Sequence, residues 1–437
     1  MLKYVDLFSG TGGIRLGLQQ VLQEYNIPSQ CIKSAEIDDN ACETYQQNFN
    51  ENPKCDVASI GDLEPFDLLL AGFPCQSFSY AGKQRGFGDT RGTLFFEVEK
   101  ILQKYKPRMC FLENVRGLTS HDNGRTFQTI LSRLHDIGYH TEYRLLNSSN
   151  FGVPQNRVRI YIVAFLGKKP LLSLNSDLGA TDSHDFKSYS QKLTLFGNNY
   201  QFRYVRDILE DSPNIKYDCS NKFRDKLTEL TNGDLTKLNG IRFIDTRNGN
   251  SIHSWELGLK GKCNDDEVDF MNLLVSNRRK HTFGTHQDGK ALTIDQIATF
   301  YQKNNLDKII VGLLKKGYIS EKEGKYNPVC GNLSFEVFKF LDPNSISITL
   351  TASDTHKLGV YHNGRVRRLT PRECARLQGY PDSYLLHPKD TYAYKQIGNA
   401  VSVPVIKEIF SDIIANNKIV EEILNKDVTT IKIEAMP

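Results

Sequence analysis

Short apolar runs, glycine turns and amphipathic stretches alternate through the first part of the chain. Tyr4–Phe8 is an apolar run broken by one acid, Asp6. Gly10, Gly12 and Gly13 follow, and Ile14, Leu16, Leu18, Val21 and Leu22 then recur at helical spacing. This predicts strand, glycine turn and helix, the opening of a nucleotide-binding α/β unit. Further strands are predicted at Cys31–Ile37, at a third segment ending near Asp62, at Phe66–Ala71 (FDLLLA) as a fourth, at Met109–Leu112 and at Ile160–Ala164.

The long middle of the chain, residues 167 to 366, is rich in Asn, Asp, Ser and Lys and nearly balanced in charge. It is large enough for a second domain. Leu292–Gly317 reads as two helices with a polar break at Gln302–Asn305. Tyr318–Ser320, a charged turn and Tyr326–Asn327 follow like a short β-wing. The pattern resembles a winged helix-turn-helix; a packed helical hairpin with a trailing β-hairpin is the other reading of the same residues. Ser347–Tyr361 is predicted as strand, turn, strand, and the stretch after Asn416 as a polar tail with some helical character.

Composition narrows the class. The 437 residues are 39% hydrophobic and 24% charged, the balance of an ordinary globular protein. No apolar run approaches the roughly 20 residues of a membrane span, and the N-terminus lacks a signal-peptide pattern. A cytoplasmic protein without membrane contact is expected. Nine cysteines, an odd number with no C-x-x-C pair, argue against a disulfide framework or a zinc site, so no metal is expected. A net charge of +4 permits nucleic-acid binding without demanding it.

The glycine turn lets backbone approach a ligand at a helix N-terminus. Glu36 stands where a carboxylate can accept from ribose hydroxyls. Asp62, in the loop Ile60–Leu63, could accept from an adenine amino group; each acid could equally be solvated surface. No G-x-x-x-x-G-K-[ST] phosphate cradle occurs, so the expected ligand is an adenosine compound with little phosphate, and S-adenosylmethionine fits. Cys75 follows the FDLLLA strand, with Pro74 stiffening the backbone before it. It is a strand-end core cysteine or a nucleophile on the ligand edge of an open sheet. The next stretch, Ala81–Gly92 (AGKQRGFGDTRG), is basic and glycine-rich, a loop able to close over a polyanion.

With DLFSGTGG at the front and FPCQSFS after the strand, the chain resembles the cytosine-C5 DNA methyltransferase family. RGTLFF from Arg91, LENV from Leu112, QNRVR from Gln155, RLTPRE from Arg368, LQGYP from Leu377 and QIGNAV from Gln396 follow in family order. The resemblance implies a Rossmann-like α/β domain binding S-adenosylmethionine, built from 1–166 and 391–437, and a smaller target-recognition domain at 167–390. It implies Cys75 as the nucleophile attacking carbon 6 of a flipped-out cytosine, Glu113 at ring N3, and Arg157 and Arg159 holding the base carbonyl and the catalytic loop. It places Phe8 against adenine, the stretch Gly10, Thr11, Gly12 and Gly13 at the methionine part, Glu36 at ribose, and Asp62 with Leu63 at adenine. Ile37, Pro74, Leu94, Asn399 and Val401 complete the pocket. Gln76, Ser77, Ser79, Lys83, Arg85 and Arg91 are the implied DNA contacts.

The expected product of the cofactor is S-adenosylhomocysteine, and the expected partner is double-stranded DNA. A monomer is expected, working alongside a restriction endonuclease in a bacterial restriction–modification system. Two other readings share the motifs. Relatives acting on transfer RNA typically carry a short recognition region with a Cys-Phe-Thr element, which is missing here. A DNA-binding regulator that had lost catalysis predicts damage at Cys75, Glu113 or Arg159, and all three are intact.

Overall fold

The computed structural model describes residues 1–73, 94–176, 204–246, 249, 251–284, 290–329 and 335–424. Pro74, Cys75, Gln76, Ser77, Ser79, Lys83, Arg85 and Arg91 lie outside the described residues. Two compact units emerge: Met1–Ile208 with Ser345–Thr355 and Pro371–Pro437, and Leu209–Asn344 with His356–Thr370.

The first unit is built on β1 (Leu2–Leu7), α1 (Gly13–Glu24), β2 (Ser29–Ala35), α2 (Asp39–Phe49), β3 (Leu68–Ala71), α3 (Leu94–Tyr105), β4 (Met109–Val115), α4 (Arg125–Asp136), β5 (Tyr139–Asn147) and β6 (Val158–Leu166). The sheet order is β2-β1-β3-β4-β6-β5. Pairs among the first four strands are parallel; β6 runs antiparallel to both of its neighbours.

In β3 every residue is buried. Leu68 and Leu70 enter one core with Ile14, Leu18 and Val21 of α1. Leu69 and Ala71 enter the other with Val98 of α3 and Ile130 of α4. Helices cover both faces, so the central strands have no polar alternation. Between β1 and β3 the strand order reverses direction, and the crevice at such a switch point is where open α/β sheets bind ligands.

Several sequence expectations change. No strand ends at Asp62: Val57–Ser59 is a single 3-10 turn, and Phe66–Ala71 supplies the sheet's third strand rather than its fourth. β5 carries no clean apolar pattern, because it is a half-buried edge strand. Ser347–Tyr361 is not a hairpin. Its first part lies in the first unit, where Asn156 N donates to Ser347 O and Leu350 N donates to Gln155 Oε1 (2.9 Å). Those backbone groups are taken by side chains and a loop, so only residues from Leu358 onward form a strand, in the second unit. The stretch after Asn416 is also less solvated than its composition suggests, since Ile419, Val420 and Ile423 are buried in the α1 core.

The second unit holds α5 (Asn221–Leu230), β7 (Arg242–Phe243), β8 (Ser251–Ile252), α6 (Asp265–Asn277), β9 (Leu292–Thr293), α7 (Ile294–Ala298), α8 (Leu306–Lys316), β10 (Ile319–Lys322), β11 (Lys325–Pro328), β12 (Lys339–Leu341), β13 (Leu358–His362) and β14 (Arg365–Arg368). One sheet, β14-β13-β12-β7-β8, packs Phe243, Phe335 and Phe340 against α5. The other, β10-β11-β9, is antiparallel and shares a core of Trp255, Phe270, Leu274, Ile310 and Leu313 with α6 and α8. Capping boxes start α6 (Asn264 with Glu267) and α7 (Thr293 with Gln296).

The chain returns to the first unit at α9 (Pro371–Leu377), followed by α10 (Asp390–Asn399) and α11 (Val403–Asn416). This return precedes the residue 391 expected from the sequence. Gln155 explains it: buried behind β6, it donates to Leu377 O (2.9 Å) and Gln378 Oε1 (3.0 Å).

Candidate active site

At the switch point the strand ends open into a cleft of about 710 Å³. Its lining comes from the turn after β1 (Phe8–Thr11 and Gly13), the end of β2 (Glu36–Asp38), Cys55–Val57, Gly72–Phe73, Leu94, Glu113–Val115, Arg157, Arg159, Ala352, Tyr380 and the α10 end. All of these belong to the first unit.

The glycine turn is dictated by close approach. Gly12 has φ 82°, and a Cβ there would stand 2.2 Å from the Phe49 ring. A Cβ on Gly13 would stand 2.3 Å from the Tyr380 hydroxyl. Phe8, a non-glycine residue, is itself left-handed at φ 52°, a backbone strain of the kind held at ligand sites.

Glu36 braces this turn. Its carboxylate accepts from Gly10 N (2.8 Å), Ile37 N (2.7 Å) and Asp38 N (2.8 Å). A carboxylate has roughly four acceptor positions, so one remains for a ligand hydroxyl. Ile37 presents an apolar side chain 65% exposed in the lining. Ser9 Oγ, also in the lining, is buried without a hydrogen-bond partner among the described residues. A buried orphan of this kind suits a polar ligand group.

Asp62 is not brought here. Its side chain is 92% exposed and pairs with Lys104 at 2.6 Å. Leu63 is also absent from the lining, and its N–H donates to the Tyr105 hydroxyl (2.9 Å). Asp56 and Val57 line the cleft instead. Asp56 caps the 3-10 turn by accepting from Ala58 N (3.0 Å). The sequence carried that signal: an acid two residues before a backbone N–H it can cap, ahead of a small-residue turn.

The opposite end of the cleft is charged. β4 and β6 pair with Glu113 opposite Tyr161 and Val115 opposite Arg159, so Glu113 and Arg159 share a face. Arg159 Nε lies 3.4 Å from Glu113 Oε1. Burial raises the Glu113 pKa, against the opposing pull of Arg159 and Arg157. Its carboxyl therefore favours the protonated form more than an ordinary glutamate does.

Arg157 is buried at 2% exposure and donates to Leu350 O (2.9 Å) and Ala400 O (2.6 Å). These bonds lock the 350 segment and the α10 end onto β6, and burial pulls the guanidinium pKa down. Asn114, unassigned from sequence, donates from Nδ2 to Phe73 O (2.8 Å). It fixes the backbone that leads directly into Pro74 and Cys75. Gln378 donates to Ile397 O (3.1 Å) and Ala400 O (3.3 Å). The late sequence blocks thus converge on the cleft wall, and Asn399 and Val401 line it.

The family model for C-5 cytosine-specific DNA methylase matches residues 2–415. The chain belongs to this family. It is 58% identical over 416 residues to the type II methyltransferase M.BanI of Aneurinibacillus aneurinilyticus, covering 95% of this chain and 96% of that protein. It is 59% identical over 413 residues to the type II methyltransferase M.HgiCI of Herpetosiphon aurantiacus, covering 94% and 98%. Among solved structures, S. pombe Dnmt2 methyltransferase superposes with TM-score 0.52 at 16% identity, covering 97% of this chain and 100% of that one. At that identity the likeness is one of fold.

Proposed function

We propose that this chain is a DNA (cytosine-5-)-methyltransferase. It transfers a methyl group from S-adenosylmethionine to carbon 5 of a cytosine flipped out of double-stranded DNA, within a bacterial type II restriction–modification system. The observation that carries the proposal is Glu113. A buried, proton-favouring carboxyl stands beside Arg159 at the end of a glycine-walled cleft, on the strand whose Asn114 holds the backbone leading to Cys75.

Carbon 5 of cytosine is a weak nucleophile. Adding the Cys75 thiolate to carbon 6 makes it enamine-like, and cysteine suits this role because its thiolate is a strong nucleophile. The addition drives negative charge onto N3, which Glu113 neutralises by donating its proton. Arg159 holds the base carbonyl. S-adenosylmethionine supplies an electrophilic methyl on sulfonium. Loss of the carbon 5 proton to water then expels Cys75 as the thiolate, and N3 returns its proton to Glu113, which restores the ring and the acid. The target base must leave the stack, at a cost of a few kcal/mol.

The lining fits the cofactor. Phe8 and Ile37 would enclose the adenine, and Glu36 would take a ribose hydroxyl. Asp56, in place of Asp62, would accept from the adenine amino group, with Val57 beside it. The Gly10–Gly13 turn and Ser9 would hold the methionine part, with Leu94, Asn399 and Val401 completing the wall. The chain acts as a monomer in the cytoplasm, with a restriction endonuclease as a functional counterpart and not a subunit.

Duplex DNA carrying 5-fluorocytosine tests the chemistry, because carbon 5 then has no proton to lose. The wild type with S-adenosylmethionine should form a denaturant-resistant protein–DNA complex, and Cys75→Ser should not. Methylation of ordinary DNA without any trapped complex would overturn the covalent route.

A further inference from the structure

The second unit contains a segment that the methyl-transfer chemistry does not use. Its order, α6–β9–α7–α8–β10–β11, with the antiparallel sheet β10-β11-β9, is that of a winged helix-turn-helix. Helical bonding continues past α7, with Tyr301 N donating to Ile297 O (3.0 Å). Gln302–Asn305 therefore forms the short connection to α8, the length a helix-turn-helix requires.

The four lysines on and just before α8 fall into two sets. Lys316 turns inward onto buried Glu267 (2.5 Å), and Lys303 pairs with Asp266 (2.7 Å). Lys308 and Lys315 are exposed, and neither has an ion-pair partner among the described residues. Between them Val311 is 64% exposed. Positions 308, 311 and 315 form one stripe along α8. The stripe's acidic neighbour, Asp307, sits in the first turn, where it complements the helix dipole. The wing carries Glu321 and Glu323 beside Lys322 and Lys325, so it is neutral; positive charge lies on α8 at Lys308 and Lys315, and in the α6–β9 connection at Arg279, Lys280 and Lys290.

We propose that α8 is a base-reading helix of the second unit. It enters the major groove of the duplex, with Lys308 and Lys315 on phosphates and Val311 against a thymine methyl. An α-helix fits that groove, and apolar side chains recognise the thymine methyl there. This rests on the DNA reading above and adds which surface selects the site.

The test uses the full-length protein and a duplex containing its methylated site. The salt dependence of binding is measured for wild type and for the double variant Lys308→Ala with Lys315→Ala. Losing two phosphate contacts should reduce the slope of log affinity against log salt by about 1.8. In parallel, each thymine of the site and its flanks is replaced by deoxyuridine, which removes only the methyl. One replacement should cost the wild type about fourfold, the worth of one buried methyl group, and Val311→Ala should be insensitive to it. An unchanged salt slope in a folded double variant overturns the proposal. A wild type indifferent to every deoxyuridine overturns the Val311 assignment. A wild type that neither binds nor methylates DNA refutes the methyltransferase reading instead, a distinguishable result.

Discussion

Gly398 offers the sharpest test of how the cleft wall is assembled. A Cβ at this position would stand 2.4 Å from both the carbonyl carbon and oxygen of Thr351 and 2.6 Å from Ala352 N. All three are backbone atoms, so no side chain can swing aside. Ordinary contact begins near 3.4 Å, so Gly398→Ala must push α10 and the 350 segment apart by about 1 Å. Overpacking of this kind costs roughly 1–3 kcal/mol. The same displacement pulls on Arg157, which donates to Leu350 O on one side and Ala400 O on the other. Weakening a buried charged hydrogen bond adds roughly 1.5–3 kcal/mol. Asn399 and Val401 move with α10, so cofactor affinity should fall about tenfold or more while the thermal midpoint of the first unit drops. Calorimetric titration with S-adenosylmethionine and thermal melts read both effects. Gly61→Ala is the control, because a Cβ there meets nothing within 4 Å. A Gly398→Ala protein with wild-type melting and cofactor affinity would refute this account of the wall.

Asp56→Ala should weaken S-adenosylmethionine binding by about tenfold, the worth of one hydrogen bond, while Asp62→Ala, exposed beside Lys104, should leave it unchanged; equilibrium titration decides between them. Glu113→Gln should cut methyl transfer at least about a hundredfold with DNA affinity retained, as expected for an interaction made in the transition state, measured by tritiated methyl incorporation. Asn114→Ala should slow turnover by about 10-fold or more with cofactor binding intact, since it frees the Phe73 carbonyl and the Val115 N–H and no residue placed against the cofactor. Asp6 is buried beneath the glycine turn, and burial pushes its pKa from 3.8 up to about 7. A raised folded-state value favours folding below pH 3.8, an advantage lost as pH rises towards 7. Asp6→Asn should therefore match wild-type stability near pH 4 and exceed it at pH 8, as read by denaturant melts.

The sequence made β1, β3, β4 and β6 legible because each is a compact apolar run, and the glycine turn because close approach leaves no alternative residue. Glu113 and Arg159 were legible only as members of two separate motifs, and the register of β4 against β6 is what brings them onto one face. Asp62 misled because each acid was expected to close a strand, whereas the chain reaches the cleft through a 3-10 turn capped by Asp56. Gln155 and Gln378 had no assigned role because their work is to join segments about 200 residues apart in sequence, and no local pattern encodes such a partner. The winged element was readable in outline from its helical spacing and polar break. Which of its lysines were committed to ion pairs depended on the tertiary positions of Glu267 and Asp266.

The proposed reaction is methyl transfer to cytosine in DNA through Cys75. Expression in a host lacking cytosine methylation, followed by bisulfite sequencing of its genome, tests it most directly. Methylated cytosine at one short sequence motif is expected with the wild type, and none with Cys75→Ala. A genome left unmethylated by folded, S-adenosylmethionine-binding wild type, or one methylated equally by Cys75→Ala, would contradict it.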